Sequence, residues 1–395
     1  MEPLTSRRAW AVARRAPSGG AIERRTSRGV GPFPPARNFG LGSKRGRSKE
    51  TPIFAKGALS PAFGARGRLW PEEWRGSVRS RACHPLVTRS TRMPYDVVIV
   101  GGGPSGHAGA LALGRARKRV LLCDSGPRRN ANAVHLHNFL TRDGTPPDEL
   151  RKIARAELAT YPNVEFRDAL VEEISGARGA FRVRVPTVTV EARRVLLCTG
   201  MIDETLAIEG FREHWGHSIF QCPYCHGWEA KDRRWGYLAR PEHLGHFVPF
   251  ALQLRGWTSD VVVFTNGEIE VSEEAQEKLV AGGVRVETAR IARLVGTDGR
   301  LESVELEGGA SVSCDALYAH PPQRHVEVVR ALGLALDDEG YVRVDPMRKE
   351  TSTPGIFAAG DLTTRMQGAI FGAAAGAQAA SMMNLELTME ACAAR

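Results

Sequence analysis

The sequence predicts an α/β protein in which buried parallel strands alternate with helices, and three observations carry that prediction. Residues 95–109, YDVVIVGGGPSGHAG, run from a short apolar strand straight into a glycine cluster. A helical pattern, LALGRARK, follows, and a second apolar strand, VLLCD, ends at Asp124. Two later segments, VLLCTG at 195–200 and TSTPGIFAAGD at 351–361, are again apolar runs that close on a tight turn. Composition agrees. Hydrophobic residues make up 42% and there are 42 glycines, as in a turn-rich globular chain. A length of 395 residues allows two or three domains, or one discontinuous fold.

The first 92 residues stand apart. They hold 20 Lys and Arg against 5 Asp and Glu, so +15 of charge lies there. The whole chain carries +10, which leaves about −5 on the rest. This leader is rich in Arg, Gly, Pro and Ser and shows no sustained period. A disordered segment is expected, because it cannot bury enough apolar surface to offset the entropy of ordering. A transit peptide and a nucleic-acid-binding arm are functional alternatives. A twin-arginine export signal at Arg7-Arg8 lacks the apolar stretch it would need. The plainest expectation is that Met93, opening MPYDVVIVGGG, is the true start; with the basic charge confined to the leader, no nucleic-acid partner is expected for the remainder.

The glycine pattern is Gly101-x-Gly103-x-x-Gly106. Gly101 permits a tight turn, Gly103 lets the backbone approach a pyrophosphate, and Gly106 allows close helix–strand packing. The helix that follows offers free N–H groups and the positive end of its dipole to phosphate. Asp124, 18 residues past Gly106 at a strand end, is placed to accept ribose hydroxyls. A glycine turn without a nucleotide is the alternative, and strand, helix and terminal aspartate together argue against it.

Farther on, residues 146–158 read as a helix, and 181–190 and 192–197 as a small meander with its return strand. From Ile202 the character changes, with aromatics and histidines leading to QCPYCHGWE at 221–229. Cys222 and Cys225, with His226 directly after, fit three chemistries: a redox dithiol, a c-type haem attachment and half of a zinc site. The haem needs export, which the leader does not support. Zinc needs a second ligand pair, for which Cys314 and nearby histidines are the available candidates. Residues 261–264 and 284–286 are strands of a second α/β unit, with 247–254 as a helix of it. The Ala- and Gly-rich helix near 368–380 is expected to serve close packing.

The seven cysteines (Cys83, Cys123, Cys198, Cys222, Cys225, Cys314 and Cys392) are too scattered for a disulfide framework. Without a secretory signal a reducing cytosol is the default, where a close cysteine pair is more often catalytic or metal-binding than structural. No run of 18 apolar residues occurs, so no membrane partner is expected.

In order and spacing, VVIVGGGPSG, CDSG, LLCTG, the central CxxC and TPGIFAAGD resemble the low-molecular-weight thioredoxin reductases, over residues 93–387. The resemblance implies two Rossmann-like, three-layer ββα nucleotide-binding domains, the second inserted into a discontinuous FAD domain. The implied segments are 93–201 and 322–387 for FAD and 202–321 for the insert, with 388–395 as a tail. It further implies that Gly101, Gly103, Gly106 and Asp124 hold the ADP part of FAD, and that Gly360 and Asp361 hold its ribityl or phosphate region. Gln367, Gly368 and Ala369 would lie near the isoalloxazine, with Asn138 also at the cofactor. On the same resemblance Cys225 sits beside the flavin, Cys222 attacks a partner disulfide, and no metal is involved. His226, where the family usually has aspartate, is an acid or base near neutral pH.

Two departures matter. The second nucleotide turn reads WGYLARPEHLGHF at 235–247, and Ala239, Arg240 and Pro241 fall where turning glycines are needed. No arginine pair follows FTNGE, so NADPH is a doubtful second cofactor. CPYCHG, and the loop RRNANAVHLHNFLTRDGTPP at 128–147, are similar to the dithiol oxidase branch of this family, which closes disulfides in small sulfur metabolites and passes electrons to oxygen. His135 and His137 in that loop are candidates for the flavin or substrate pocket, or are structural. The expectation is a cytosolic, homodimeric FAD enzyme acting on a small dithiol, a disulfide or a thioredoxin-like protein. A flavin-bound redox sensor is the alternative of another class.

Overall fold

The computed structural model describes residues 94–394. The leader expected to be disordered, and Met93 as its boundary, lie outside them. The described residues form two α/β lobes. In the first, a seven-stranded sheet places Tyr95–Val100 between Val120–Asp124 and Val188–Leu197, all parallel, with Val164–Asp168 at the edge. The ten-residue strand Val188–Leu197 does two jobs. Its first half pairs antiparallel with Ala180–Val185, which pairs with Glu173–Ala177, while its second half pairs parallel with Ile356–Ala358. One sheet thus joins segments about 160 residues apart in the chain, and the lobe is discontinuous.

Strand alternation explains the layers. Val97, Ile99, Leu122, Leu196 and Phe357 point to one face and are covered by Ala379, Ala380, Met383 and Leu387 of the helix Ala369–Ala393. Val98, Leu121, Val195 and Leu197 point to the other, under Phe181 and Val183 of the meander. Because both faces are buried, the central strands read as unbroken apolar runs. The small-residue helix packs closely, as expected: a Cβ on Gly376 would lie 2.0 Å from the Ser105 carbonyl oxygen of the helix Pro104–Arg115.

That C-terminal helix continues through residues 388–393, the segment expected to be a tail, and the reason is a buried charge. Arg194 is fully buried, and its guanidinium pairs with Glu386 at 3.4 Å and with Glu390. Ending the chain after Leu387 removes Glu390 and leaves Glu386 as the remaining acidic partner. The expected loss is smaller than the ~3–5 kcal/mol of a fully broken buried pair, and a thermal melt of the shortened chain would measure it. An unchanged midpoint would show the last turns to be dispensable.

The second lobe has a five-stranded parallel sheet. Arg234–Leu238 and Ala316–Ala319 lie at its centre, flanked by Asp260–Phe264 with Val284–Glu287 on one side and Ile219–Phe220 on the other. Phe247, Leu254 and Leu279 cover one face of it, and a three-stranded antiparallel layer, Ile291–Thr297, Arg300–Leu306 and Ser311–Ser313, covers the other through Leu294 and Val304. Two short antiparallel strands, Ile202–Asp203 and Gln323–Arg324, carry the chain into this lobe and back. No helix among the described residues is long and apolar enough to cross a membrane.

Candidate active site

The glycine turn has the shape its spacing requires. Gly101 takes φ +109°, and a Cβ there would lie 2.2 Å from the Cys198 carbonyl oxygen. A Cβ on Gly106 would lie 1.9 Å from the Gly101 carbonyl oxygen. Gly103 meets nothing within 4 Å, so its side of the turn is open. It also caps the helix Pro104–Arg115 without any side-chain bond, leaving the helix N–H groups available. Asp124, buried at its strand end, accepts from the Gly126 N–H at 3.0 Å and from Arg151. A carboxylate has about four lone-pair sites, so capacity for a ribose hydroxyl remains. A cavity of about 350 Å³ adjoins it, lined by Ser125, Gly126, Arg151 and Asp168 among others. His107, below the turn, is held neutral, pushed down to about 4 by burial first, and its Nε2 has no partner among the described residues. This open turn with donors and a buried acid fits a dinucleotide.

The second turn does not. After Arg234–Leu238 the chain passes through buried Ala239 and extended Arg240 (φ −131°, ψ 148°) into a 3₁₀ helix, Pro241–His246. No residue from 239 to 246 has positive φ, Pro241 has no N–H, and Arg240 is paired with Glu242 at 2.8 Å. An acidic side chain thus lies where a pyrophosphate would need donors.

Gly360 carries the C-terminal segment to the first turn: at φ +85° it packs so closely that a Cβ would lie 3.1 Å from Ser105 Cβ. Asp361 follows. Its carboxylate accepts from Arg129 Nη1 at 3.0 Å, and that guanidinium is a hub. Arg129 donates to both Asp203 oxygens at 2.7 and 2.8 Å, and also to Gln221 and Gln367. Gln323, on the returning strand, bonds Asp203 at 2.8 Å and exchanges bonds with Gln367 at 2.9 and 3.1 Å. Gly368 and Ala369 then start the C-terminal helix. Nothing in the local sequence marks Arg129. One of two adjacent arginines in a polar loop, it has partners 74 to 238 residues away.

Cys222 and Cys225 are free thiols at the start of a single helical turn, Pro223–His226. The Cys225 S–H donates to the Cys222 sulfur, and the backbone N–H groups of Cys225 and Tyr224 also favour its anion. Against the opposing effect of burial these bring Cys222 down to about 7, whereas Cys225 moves up because its proton is held in that bond and its site is buried. Asp361 and Arg129, from the other lobe, are close enough to act on Cys225 electrostatically. His226 stacks on Phe220 with centroids 4.2 Å apart and is held neutral, lowered to about 4 by burial, with its buried Nδ1 unpartnered among the described residues. Burial makes it a weaker base, so it can relay a proton but not hold one near neutral pH.

The loop at 128–147 meets this turn. Asn138, expected at the cofactor, takes φ +61° and donates its side-chain N–H to the Tyr224 carbonyl between the two cysteines. His137 bridges Asp143 and Glu229, each at 3.4 Å. His135 contacts the His137 ring edge-on at 6.2 Å. Cys314 is buried and donates to the Ala316 carbonyl at 3.3 Å. Among the described residues no cluster of three or more His, Cys, Asp or Glu could hold a metal ion.

Comparison with known proteins is consistent with this geometry. Residues 95–383 match the family described as pyridine nucleotide-disulphide oxidoreductase. The chain is 30% identical over 315 residues to a thioredoxin reductase, sirT, of Leptosphaeria maculans, covering 74% of this chain and 94% of that one. It is likewise 30% identical over 319 residues to the thioredoxin reductase tcpT of Claviceps purpurea, covering 75% and 97%. The crystal structure of an oxidoreductase from Agrobacterium tumefaciens is similar with a TM-score of 0.70 at 36% identity, over 75% of this chain and 99% of that one.

Proposed function

This chain belongs to the pyridine nucleotide-disulphide oxidoreductase family, and from that premise we propose that it is an FAD-dependent thiol–disulfide oxidoreductase working through Cys222 and Cys225. The observation that carries the reading is the reach of the dithiol turn to the other lobe, where Arg129 and Asp361 act on Cys225. Gly101, Gly103, Gly106 and Asp124 would hold the ADP portion of FAD, and Gly360, Asp361, Gln367, Gly368 and Ala369 the remainder. When bound, FAD supplies the two-electron donor and acceptor for the cysteine pair.

The chemistry at sulfur follows from the two thiols. The Cys222 thiolate attacks a substrate disulfide, forming a mixed disulfide and releasing one substrate thiolate. Cys225 then gives its proton to His226, and its sulfur attacks the Cys222 sulfur. The Cys222–Cys225 bond forms, the mixed bond breaks, and the second substrate thiolate leaves. The enzyme pair has lost two electrons and the substrate has gained them; the Cys225 proton passes on from His226 to one substrate thiolate, and solvent protonates the other in place of the proton Cys222 lost on ionising. The reverse sequence oxidises a dithiol. With the Cys222 pKa near 7 instead of the usual 9, about half is thiolate at pH 7, against about 1% unperturbed. Reactivity should therefore rise with pH through 7 and level off above it, which an alkylation-rate profile would measure.

The substrate class is a thioredoxin-type protein, as the relatives' names suggest, or a small disulfide or dithiol that the same sulfur exchange would serve. A specific observation favours the oxidising direction: the turn at 239–242, with its Arg240–Glu242 pair, is ill suited to a nicotinamide dinucleotide as electron source. In that direction two electrons and two protons from the substrate dithiol would end on dioxygen as hydrogen peroxide. Anaerobic titration of the flavin-loaded protein with dithiothreitol, NADH and NADPH tests both readings. Dithiothreitol should bleach the flavin, and Cys225→Ser should slow that step on the order of 10³-fold or more. Unchanged bleaching in Cys225→Ser would sink the assignment, and rapid bleaching by NADPH would overturn the oxidising direction.

A further inference from the structure

The loop at 128–147 is rooted in the first lobe. It runs from the strand Val120–Asp124 to the helix Pro147–Leu158, where Arg128 pairs with Asp148 at 2.7 Å. It is folded on itself: Leu136 and Thr145 form a bridge, and the Asn138 N–H donates to the Asp143 carboxylate at 2.8 Å. Asn138 and Thr141 take positive φ, +61° and +72°. For a β-branched threonine that backbone is costly, and it persists only where the surroundings hold it.

Four ties join this loop to the second lobe. Asn132 donates to the Trp215 carbonyl at 3.0 Å, Arg129 to Gln221 and Asn138 to the Tyr224 carbonyl, and His137 lies 3.4 Å from Glu229. All four partners fall within 215–229, the segment that carries Cys222 and Cys225. The approach at its start is close, since a Cβ on Gly216 would lie 2.8 Å from Asn132 Cβ. Arg129 has no donor to spare. Its five N–H groups are divided among Asp203, Asp361, Gln367 and Gln221, so it links the lobes and is not free to hold a ligand.

We infer that this loop is a strap that keeps the dithiol turn against the first lobe in both redox states, with Arg129 and Asn132 as positioning residues. The substrate then comes to Cys222 while the lobes stay together. None of the four ties ends on a sulfur. Closing the disulfide draws the two sulfurs to about 2.05 Å within a single helical turn, which asks no large movement of the carbonyls and side chains that the strap grips. The inference rests on the dithiol reading, and the test separates the two.

Gadolinium spin labels, carried on unnatural side chains that spare the cysteines, are placed at Glu157 of the helix Pro147–Leu158 and at Glu277 of the helix Glu273–Ala281 in the full, flavin-loaded chain. Pulsed dipolar spectroscopy should give one narrow interlobe distance, the same before and after reduction by dithiothreitol. Asn132→Ala, His137→Ala and Gln221→Ala together remove three ties and leave Asn138 and the aspartate pairs of Arg129 in place. That variant should add a second, broader distance, and bleaching of its flavin by dithiothreitol should slow as the closed fraction falls, on the order of ten-fold. Asn132→Ala alone, at an exposed bond, should broaden the distance in the same sense. Residues that served stability alone would lower the melt without adding a distance. A second distance appearing in the unaltered protein on reduction overturns the inference, as does a single unchanged distance in the folded triple variant. Failure of dithiothreitol to bleach the unaltered protein would overturn the dithiol reading, and the positioning role with it.

Discussion

Gly106→Val is expected to yield protein that retains little or no flavin and melts well below the unaltered chain. The first substituent atom would lie 1.9 Å from the Gly101 carbonyl oxygen, and that oxygen belongs to backbone held at φ +109° against Cys198. Nothing flexible is available to yield. The helix Pro104–Arg115 must back away from the turn, which pulls its N-terminus out of place and strains its packing on the C-terminal helix. Overpacking of this kind costs about 1–3 kcal/mol, and more where backbone is the obstacle. Gly103→Ala is the informative companion. Its substituent meets nothing within 4 Å, so the melt should hardly move, while a methyl on the open side of the turn should weaken flavin retention. Flavin absorbance per polypeptide and a thermal melt, taken on both variants, decide the matter. Equal flavin content in all three proteins would mean that the turn does not hold the cofactor.

Arg129→Met should be the most damaging change outside that turn. Asp203 is almost fully buried, at 7% side-chain exposure, and would lose a two-pronged cation. Asp361, Gln221 and Gln367 would lose their shared donor at the same time. Removing one partner of a buried pair costs about 3–5 kcal/mol because the other charge stays behind. The loss falls in the lower part of that range, since Asp361 is 26% exposed and Gln323 still donates to Asp203. A domain of this size loses about 2–4 °C per kcal/mol, so a fall of roughly 10 °C is expected. Arg129→Lys should recover only part of it, because a single ammonium cannot engage Asp203 through two nitrogens while serving three other acceptors. A melt of Arg129→Met within a degree of the unaltered protein would show the hub to be incidental.

Both predictions bear on the flavin side of the site, yet they differ in how far the sequence could lead to them. The glycine turn was legible because its geometry is local. Six residues and one strand end set the backbone, and the positive φ of Gly101 and the close approach at Gly106 follow from spacing alone. The cysteine pair was legible for the same reason, as a single helical turn. So was the altered second turn, since Pro241 lacks a donor wherever it is placed. The continuation of the last helix past Leu387 was not legible for an equally physical reason: its end pairs with Arg194, a residue of a distant strand.

What the chain determined by itself, then, is each piece of short-range chemistry: where a phosphate can approach backbone, where two sulfurs share a turn, where a glycine is missing. Only the tertiary structure decided which side chains stand behind those pieces. Arg129 gathers partners from both lobes, and Asn138 ties the loop to Tyr224. Such placements depend on strand register and on contacts across tens to hundreds of residues. A lone arginine or asparagine has no period or spacing that could announce them.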